Sequence, residues 1–192
     1  MISITNKSKI VLMCAPARAG KDTILPLLKR DLENKYGGNW HRHAFADKLR
    51  IDLEHKIKNK YGISIWDDSQ KHLFRNDMIK YGEQKRRQTN NRYLVDDFIN
   101  KHNTGNNYII TDFRFLNEYS DLSNYYGKHT IIPIYIERFI ENKNGLRFVT
   151  QPVIPQEIEE YSKIKTISNI YCVPWEKGFR WKSKLSKYHF DI

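Results

Sequence analysis

Lys9-Ile-Val-Leu-Met-Cys14 is apolar from Ile10 onward and runs directly into Ala15-Pro-Ala-Arg-Ala-Gly-Lys-Asp-Thr23. An apolar run of this length, closing on small residues and Gly-Lys, reads as a buried parallel strand. Ile24-Leu-Pro-Leu-Leu-Lys-Arg-Asp-Leu32 follows with apolar residues at helical spacing, and Pro26 fits there if it falls in the first turn. Strand, small-residue loop with a lysine, then helix is the layout of a phosphate-binding loop. Its backbone N–H groups face a concavity, the helix N-terminus adds partial positive charge, and the lysine neutralises the outer phosphates.

The pattern departs from the general form G-x-x-x-x-G-K-[ST] at two positions. Ala15 stands where a glycine is usual, and a small residue still lets the loop turn. Asp22 stands where a hydroxyl usually meets magnesium, and the hydroxyl comes one residue later, at Thr23. The plainer alternative is an ordinary strand-to-helix turn, since Gly-Lys pairs are common.

At 192 residues the chain suits one domain, or one domain with a small lid, and is long enough for a substantial core. The opening Met1-Ile-Ser-Ile-Thr-Asn-Lys7 lacks the layout of a signal peptide, and no apolar run approaches a membrane span. Cys14 and Cys172 fit neither a disulfide framework nor a Cys/His metal spacing. The expectation is a soluble protein of the cytoplasm, with no membrane partner. The formal charge of +11 calls for an anionic partner, either nucleic acid or small phosphorylated molecules. The cations do not form one run. The densest groups are Lys56, Lys58 and Lys60, then Lys85-Arg86-Arg87, then the lysines and Arg180 of the last eighteen residues.

Gly37-Gly38-Asn39 ends the first helix, and Trp40-His-Arg-His-Ala-Phe45 alternates as a second strand. His41 and His43 share a face of it, and two histidines without a third ligand are read as structural. Ala46-Asp-Lys-Leu-Arg50 opens a helix reaching about Lys60, with Asp47 as an early-turn acid or a substrate-facing one. Ser69 to about Arg87 forms another helix with one apolar face. Gly82 interrupts it, pointing to a closely approaching neighbour or ligand, and Arg75 either reaches an anion or lies in water. A further helix spans Asn91 to about His102.

Tyr108-Ile-Ile-Thr111 is a second buried-type strand, with Asp112 at its carboxyl end and Arg114 two residues on. In a parallel α/β sheet that edge binds ligands. A carboxylate there can hold magnesium or a substrate, and an arginine can fork onto a phosphate. The alternative has Asp112 as an N-cap and Arg114 as its solvated neighbour. Thr130-Ile-Ile-Pro-Ile-Tyr-Ile136 is a strand that Pro133 demotes to a sheet edge or a bulge. It delivers Arg138 and the polar Glu141-Asn-Lys-Asn-Gly-Leu-Arg147, which suits a lid over phosphates or a solvated loop. Thr166 to Val173 is read as a last strand. The tail from Trp175 interleaves aromatics with cations, a pattern that either binds single-stranded nucleic acid or packs its rings on the body.

These pieces resemble a known family. Ala17-Arg-Ala-Gly-Lys-Asp-Thr23, Phe45-Ala-Asp-Lys-Leu-Arg50, Arg75 with Gly82, and Asp112-x-Arg114-x3-Glu118 fall in the order seen in phage-type deoxynucleoside monophosphate kinases. Asp77-Met-Ile-Lys-Tyr-Gly-Glu-Gln-Lys-Arg86 and Thr111-Asp-Phe-Arg114 look at least as close to the animal-type phosphomevalonate kinases of the same family. The resemblance covers about residues 9–160. It implies an α/β P-loop NTPase of the nucleoside monophosphate kinase kind, a three-layer sandwich with a central, mainly parallel sheet and a lid. The domain would span 1–192, with acceptor-binding helices at about 46–104, a lid at about 138–160 and an unassigned tail at about 174–192. ATP and Mg²⁺ would be used, with Ala15, Arg18, Ala19, Gly20, Lys21, Asp22 and Thr23 cradling the ATP phosphates. Asp47, Lys48, Arg75, Arg86, Arg114 and Glu118 would surround a monophosphate acceptor, and Arg138 or Arg147 would come from the lid. Thr23 and Asp112 are the metal candidates, and Lys21, Asp112 and the arginines carry the chemistry. The acceptor is expected to be a deoxynucleoside monophosphate, a homodimer is compatible with the pattern, and the rival reading is a non-catalytic P-loop protein that binds nucleic acid.

Overall fold

β1 (Ile10–Cys14) is buried at all five positions, the pattern of a strand covered on both faces. The computed structural model describes residues 8–16, 19–102, 105–142, 145–148 and 155–174. β1 lies between β3 (Asn107–Ile110) and β4 (Ile131–Asn142), parallel to both. Ile10 aligns with Tyr108 and Ile131, Leu12 with Ile110 and Pro133, and Cys14 with Tyr135. β2 (Trp40–His43) lies beside β3 at one end of the order. β6 (Asn169–Pro174) runs parallel to β4 on the side away from β1. The distal part of β4 turns back into β5 (Gly145–Phe148), an antiparallel partner registered from Phe139↔Phe148 to Asn142↔Gly145. The fold is therefore α/β, with a parallel set of β1, β3, β4 and β6 at its centre.

The chain divides into two compact units, one up to Arg42 and from Gly105 on, the other from His43 to Thr104. In the first, one face of the sheet presents Val11, Met13, Ile109, Ile134 and Ile136 to Ile24, Leu28 and Leu32 of α1 (Lys21–Tyr36), with Trp40 in the same cluster. Each fully buried Ile or Leu contributes roughly 1.5–3 kcal/mol. On the opposite face Tyr135 meets Tyr161 of α6 (Pro155–Ile167), ring centroids 6.0 Å apart. Burial there pushes the Tyr135 phenol well above its ordinary pKa. α5 (Leu116–Tyr126) buries Leu122 and is bonded to α6 through Glu160.

Two expectations about prolines need correction. α1 begins at Lys21, so Pro26 stands in its second turn rather than its first and is exposed. The helix forgoes the N–H bond to the Asp22 carbonyl there. Pro133 lies in β4, which β1 and β6 flank over most of its length, so the strand as a whole is not at the sheet edge, and its β1 register runs unbroken through Pro133. The β6 pairing starts only at Ile134, so at Pro133 itself the strand has β1 alone beside it. The last strand starts at Asn169 rather than Thr166, because α6 runs on to Ile167.

The second unit is helical: α2 (Phe45–Tyr61), a 3-10 turn at Asp68–Gln70, α3 (Lys71–Gln88) and α4 (Tyr93–Lys101). Its core joins Phe45, Leu49, Leu53 and Ile57 to Phe74 and Met78 and to Leu94, Val95 and Phe98. Gly82 is needed for close approach to a neighbour rather than a ligand: a Cβ there would stand 3.3 Å from Leu49 Cδ1. Gly82→Ala gains about 1 kcal/mol of helix propensity and loses a similar amount to that contact, so its urea midpoint should stay near wild type. Gly82→Leu should lose roughly 1–3 kcal/mol by overpacking. A leucine variant as stable as wild type would mean that Leu49 does not close on this position.

Candidate functional site

The end of β1 is built to expose backbone. Ala15 and Pro16 leave the strand, Ala19 is buried under the α1 cluster, and its N–H donates to the Pro16 carbonyl at 3.2 Å. Gly20 then adopts φ 87°, ψ 22°, a left-handed conformation that costs any residue with a Cβ roughly 1–2 kcal/mol. It is the N-cap of α1 and offers no side-chain acceptor, while its carbonyl receives the N–H groups of Thr23 and Ile24 at 3.1 Å each. The opening N–H groups of a helix have no partner within it. Lys21 is the first helical residue and half-buried, and Asp22 and Thr23 follow it in the exposed first turn. Arg18 lies outside the described residues.

β3 ends beside β1. The β1–β3 register ends with Leu12 opposite Ile110, and Asp112 follows two residues later, in the turn that leaves the carboxyl end of β3. Asp112 is half-buried between Thr111 and Phe113, both in the core, and Arg114 is exposed. The N-cap of α5 is Phe115, so Asp112 does not cap that helix. Capping falls to Glu118. It is 3 % exposed, and its Oε2 accepts from the N–H groups of Arg114 at 3.0 Å and Phe115 at 3.2 Å. Glu160 of α6 accepts from the next N–H, that of Leu116, at 2.9 Å. In the sequence Glu160 reads only as one of the acids, with Glu157 and Glu159, that open a short acidic segment. The family resemblance sets Glu118 near an acceptor, whereas here it bonds the backbone of the loop.

The same edge holds one more carboxylate that the sequence does not single out. Glu137 of β4 is buried and ion-paired with Lys165 of α6, whose ammonium lies 5.1 Å from the Tyr135 ring centroid. The backbone of Arg138 lies in β4 opposite Val173 of β6 and that of Arg147 in β5 opposite Ile140, and their side chains lie outside the described part, as does the tail from Trp175.

The remaining candidates sit in the helical unit. Asp47 occupies the first turn of α2, half-buried. Lys48 is held by Asp52 at 2.5 Å, which raises its pKa, and lies 5.5 Å from the Tyr93 ring centroid. The Tyr93 hydroxyl donates to the other oxygen of Asp52. Lys85 lies over the rings of Tyr81 and Tyr93, Arg86 is half-buried and Arg75 exposed. The hydroxyl of Tyr61 and the ammonium of Lys60 hold the Asp77 carboxyl below its ordinary pKa. His43 meets His102, nitrogen to nitrogen at 3.0 Å, against Phe98. Among the described residues no group of three or more His, Cys, Asp or Glu side chains converges as a metal site. No helix among them is long and apolar enough to cross a membrane.

No protein-family model and no curated protein matches the chain. Among solved structures, an APS kinase of Mycobacterium tuberculosis aligns over 83% of this chain and 98% of its own, at 15% identity and a TM-score of 0.31. A superposition that loose fixes neither the fold family nor the chemistry of this chain.

Proposed function

We propose that this chain is an ATP-dependent phosphotransferase of the P-loop kind whose acceptor is itself a phosphate, that of a deoxynucleoside monophosphate. One juxtaposition carries the reading. A helix that opens at Lys21 behind a left-handed, uncapped glycine stands at the same sheet edge to which β3 delivers Asp112. An anion fits the first element, because the opening N–H groups and the lysine both favour negative charge. Hard oxygen ligands on Thr23 and Asp112 suit Mg²⁺, which when bound neutralises charge on the transferring phosphates. Phosphoryl transfer asks for positioning and charge neutralisation more than for a covalent group. Lys21 supplies a fixed cation, Gly20 lets the backbone approach, and Arg114 with the hairpin arginines Arg138 and Arg147 supplies charge for the acceptor and the transferred group. The deoxynucleotide rests on the resemblance and on the aromatic content of the chain.

ADP release from ATP–Mg²⁺ tests the reading against deoxynucleoside monophosphates, ribonucleotides and phosphomevalonate. Turnover confined to deoxynucleotides is the expected result. Turnover on phosphomevalonate alone would keep the transfer chemistry and replace the acceptor. Silence across the panel, with salt-sensitive binding of DNA or RNA that survives Lys21→Ala, would replace the enzyme by a nucleic-acid-binding protein.

A further inference from the structure

Three successive backbone N–H groups lead into α5, those of Arg114, of the N-cap Phe115 and of Leu116, the first helical residue, and a carboxylate oxygen accepts from each: Glu118 from Arg114 and Phe115, Glu160 from Leu116. Glu118 belongs to the helix it caps. Glu160 comes from α6, 44 residues further along the chain, in the helix that follows the β4–β5 hairpin. α6 is fastened to the sheet by Tyr161 against Tyr135 and by Lys165 on buried Glu137. The other oxygen of Glu160 lies 3.5 Å from Lys163, so the carboxylate is steadied from both ends. Its reach ends on Leu116, the first residue of α5, where the loop that carries Asp112 and Arg114 enters the helix.

We infer that Glu160 is a positioning residue, which sets the 112–116 loop, and with it Asp112 and Arg114, from α6. What the loop positions rests on the phosphotransferase reading above; the contact itself does not. The division of labour between the two carboxylates makes the inference separable from folding. Without Glu160, Glu118 still holds two of the three N–H groups and α5 keeps its cap. The loop loses only the tie to α6. The pair of carboxylates also fills a helix N-terminus that would otherwise attract an anion at the same sheet edge, which leaves the opening of α1 to take the phosphates.

Amide hydrogen exchange and steady-state phosphoryl transfer, measured on Glu160→Ala, Glu160→Gln and Glu160→Asp, test this. In Glu160→Ala the Leu116 amide should exchange roughly tenfold faster, as expected for losing one hydrogen bond. Its kcat should fall about 10- to 100-fold from loop misplacement, with KM for ATP changed less than about threefold. Glu160→Gln keeps an acceptor oxygen in place and should stay within about threefold of wild type, whereas Glu160→Asp keeps the charge, withdraws the oxygen by one methylene and should share the loss. Should the alanine variant fail to fold, the glutamine–aspartate contrast decides alone. Unchanged exchange would overturn the inference, because the contact would not be made. Faster exchange with kcat at the wild-type level would overturn it too, as would equal losses in Gln and Asp. If wild type itself transfers no phosphoryl group, the phosphotransferase reading fails and this inference falls with it, whereas wild-type turnover with an inert Glu160 removes this inference alone.

Discussion

Lys21→Ala is expected to lower phosphoryl transfer by roughly a hundred- to a thousandfold, the range seen when one preorganised charge-stabilising group is removed from an active site. The fold should not suffer. Lys21 is the first residue of α1 and half-buried, and the core under it is built from Ala19, Ile24 and Leu28. A cation at a helix N-terminus opposes the helix dipole by about 0.3–1 kcal/mol, and alanine is the better helix former. The variant should therefore melt at the wild-type temperature or slightly above it while losing turnover. Measuring kcat by ADP release and the melting temperature on the same preparation separates the outcomes. Undiminished turnover would remove Lys21 from the chemistry, and a joint loss of turnover and stability would make it structural.

The second large effect is expected at Glu118. Glu118→Ala removes a buried carboxylate and leaves the part-buried N–H groups of Arg114 and Phe115 without this acceptor. An orphaned polar group costs about 1–3 kcal/mol, so the pair should cost on the order of 2–4 kcal/mol. Glu118→Gln retains an oxygen in the same position and gives up only the charge assistance, about 1 kcal/mol. Urea denaturation should thus rank wild type, Gln and Ala in that order, with the gap between Gln and Ala the larger. Equal midpoints for all three would mean that water replaces the carboxylate at no cost.

The strand, the turn at Gly20 and the helix that follows are legible in the sequence because their signal is local. An apolar run, small residues, Gly-Lys and a helical period occupy one stretch, and the left-handed Gly20 is where that grammar asks for a glycine. The helices of the second unit are legible for the same reason, and even Gly82 announces a close neighbour, Leu49. What escapes is non-local. The spacing of Asp112, Arg114 and Glu118 is visible, yet the N-cap residue between them is Phe115, whose side chain has no capping signature. The cap comes from the third helical residue and from Glu160. α6 escapes because its apolar signal is thin: among its described residues Tyr161 and Ile164 lie inside, and Ile158, three residues before Tyr161, is half in water. Pro133 misleads because a proline's tolerance in a strand depends on which neighbour is present at that residue, and pairing partners are not written in the strand itself.

The β4–β5 hairpin has a consequence for how this chain tolerates change in length. At Cys14 β1 still lies beside Tyr135, and from Phe139 onward β5 pairs with β4 instead, while β6 continues on the other side as far as Pro174. β5 therefore takes the lane that β1 vacates when it turns into the Gly20 loop. Because a strand's side chains alternate faces, insertions or deletions of two residues per arm slide this flap and keep its faces. A change of one residue in either arm turns the residues beyond it to the opposite face, even where the backbone pairing re-forms. Length variation at the flap should accordingly be even-numbered, a parity rule set by the pleat and independent of which anion the neighbouring loop receives.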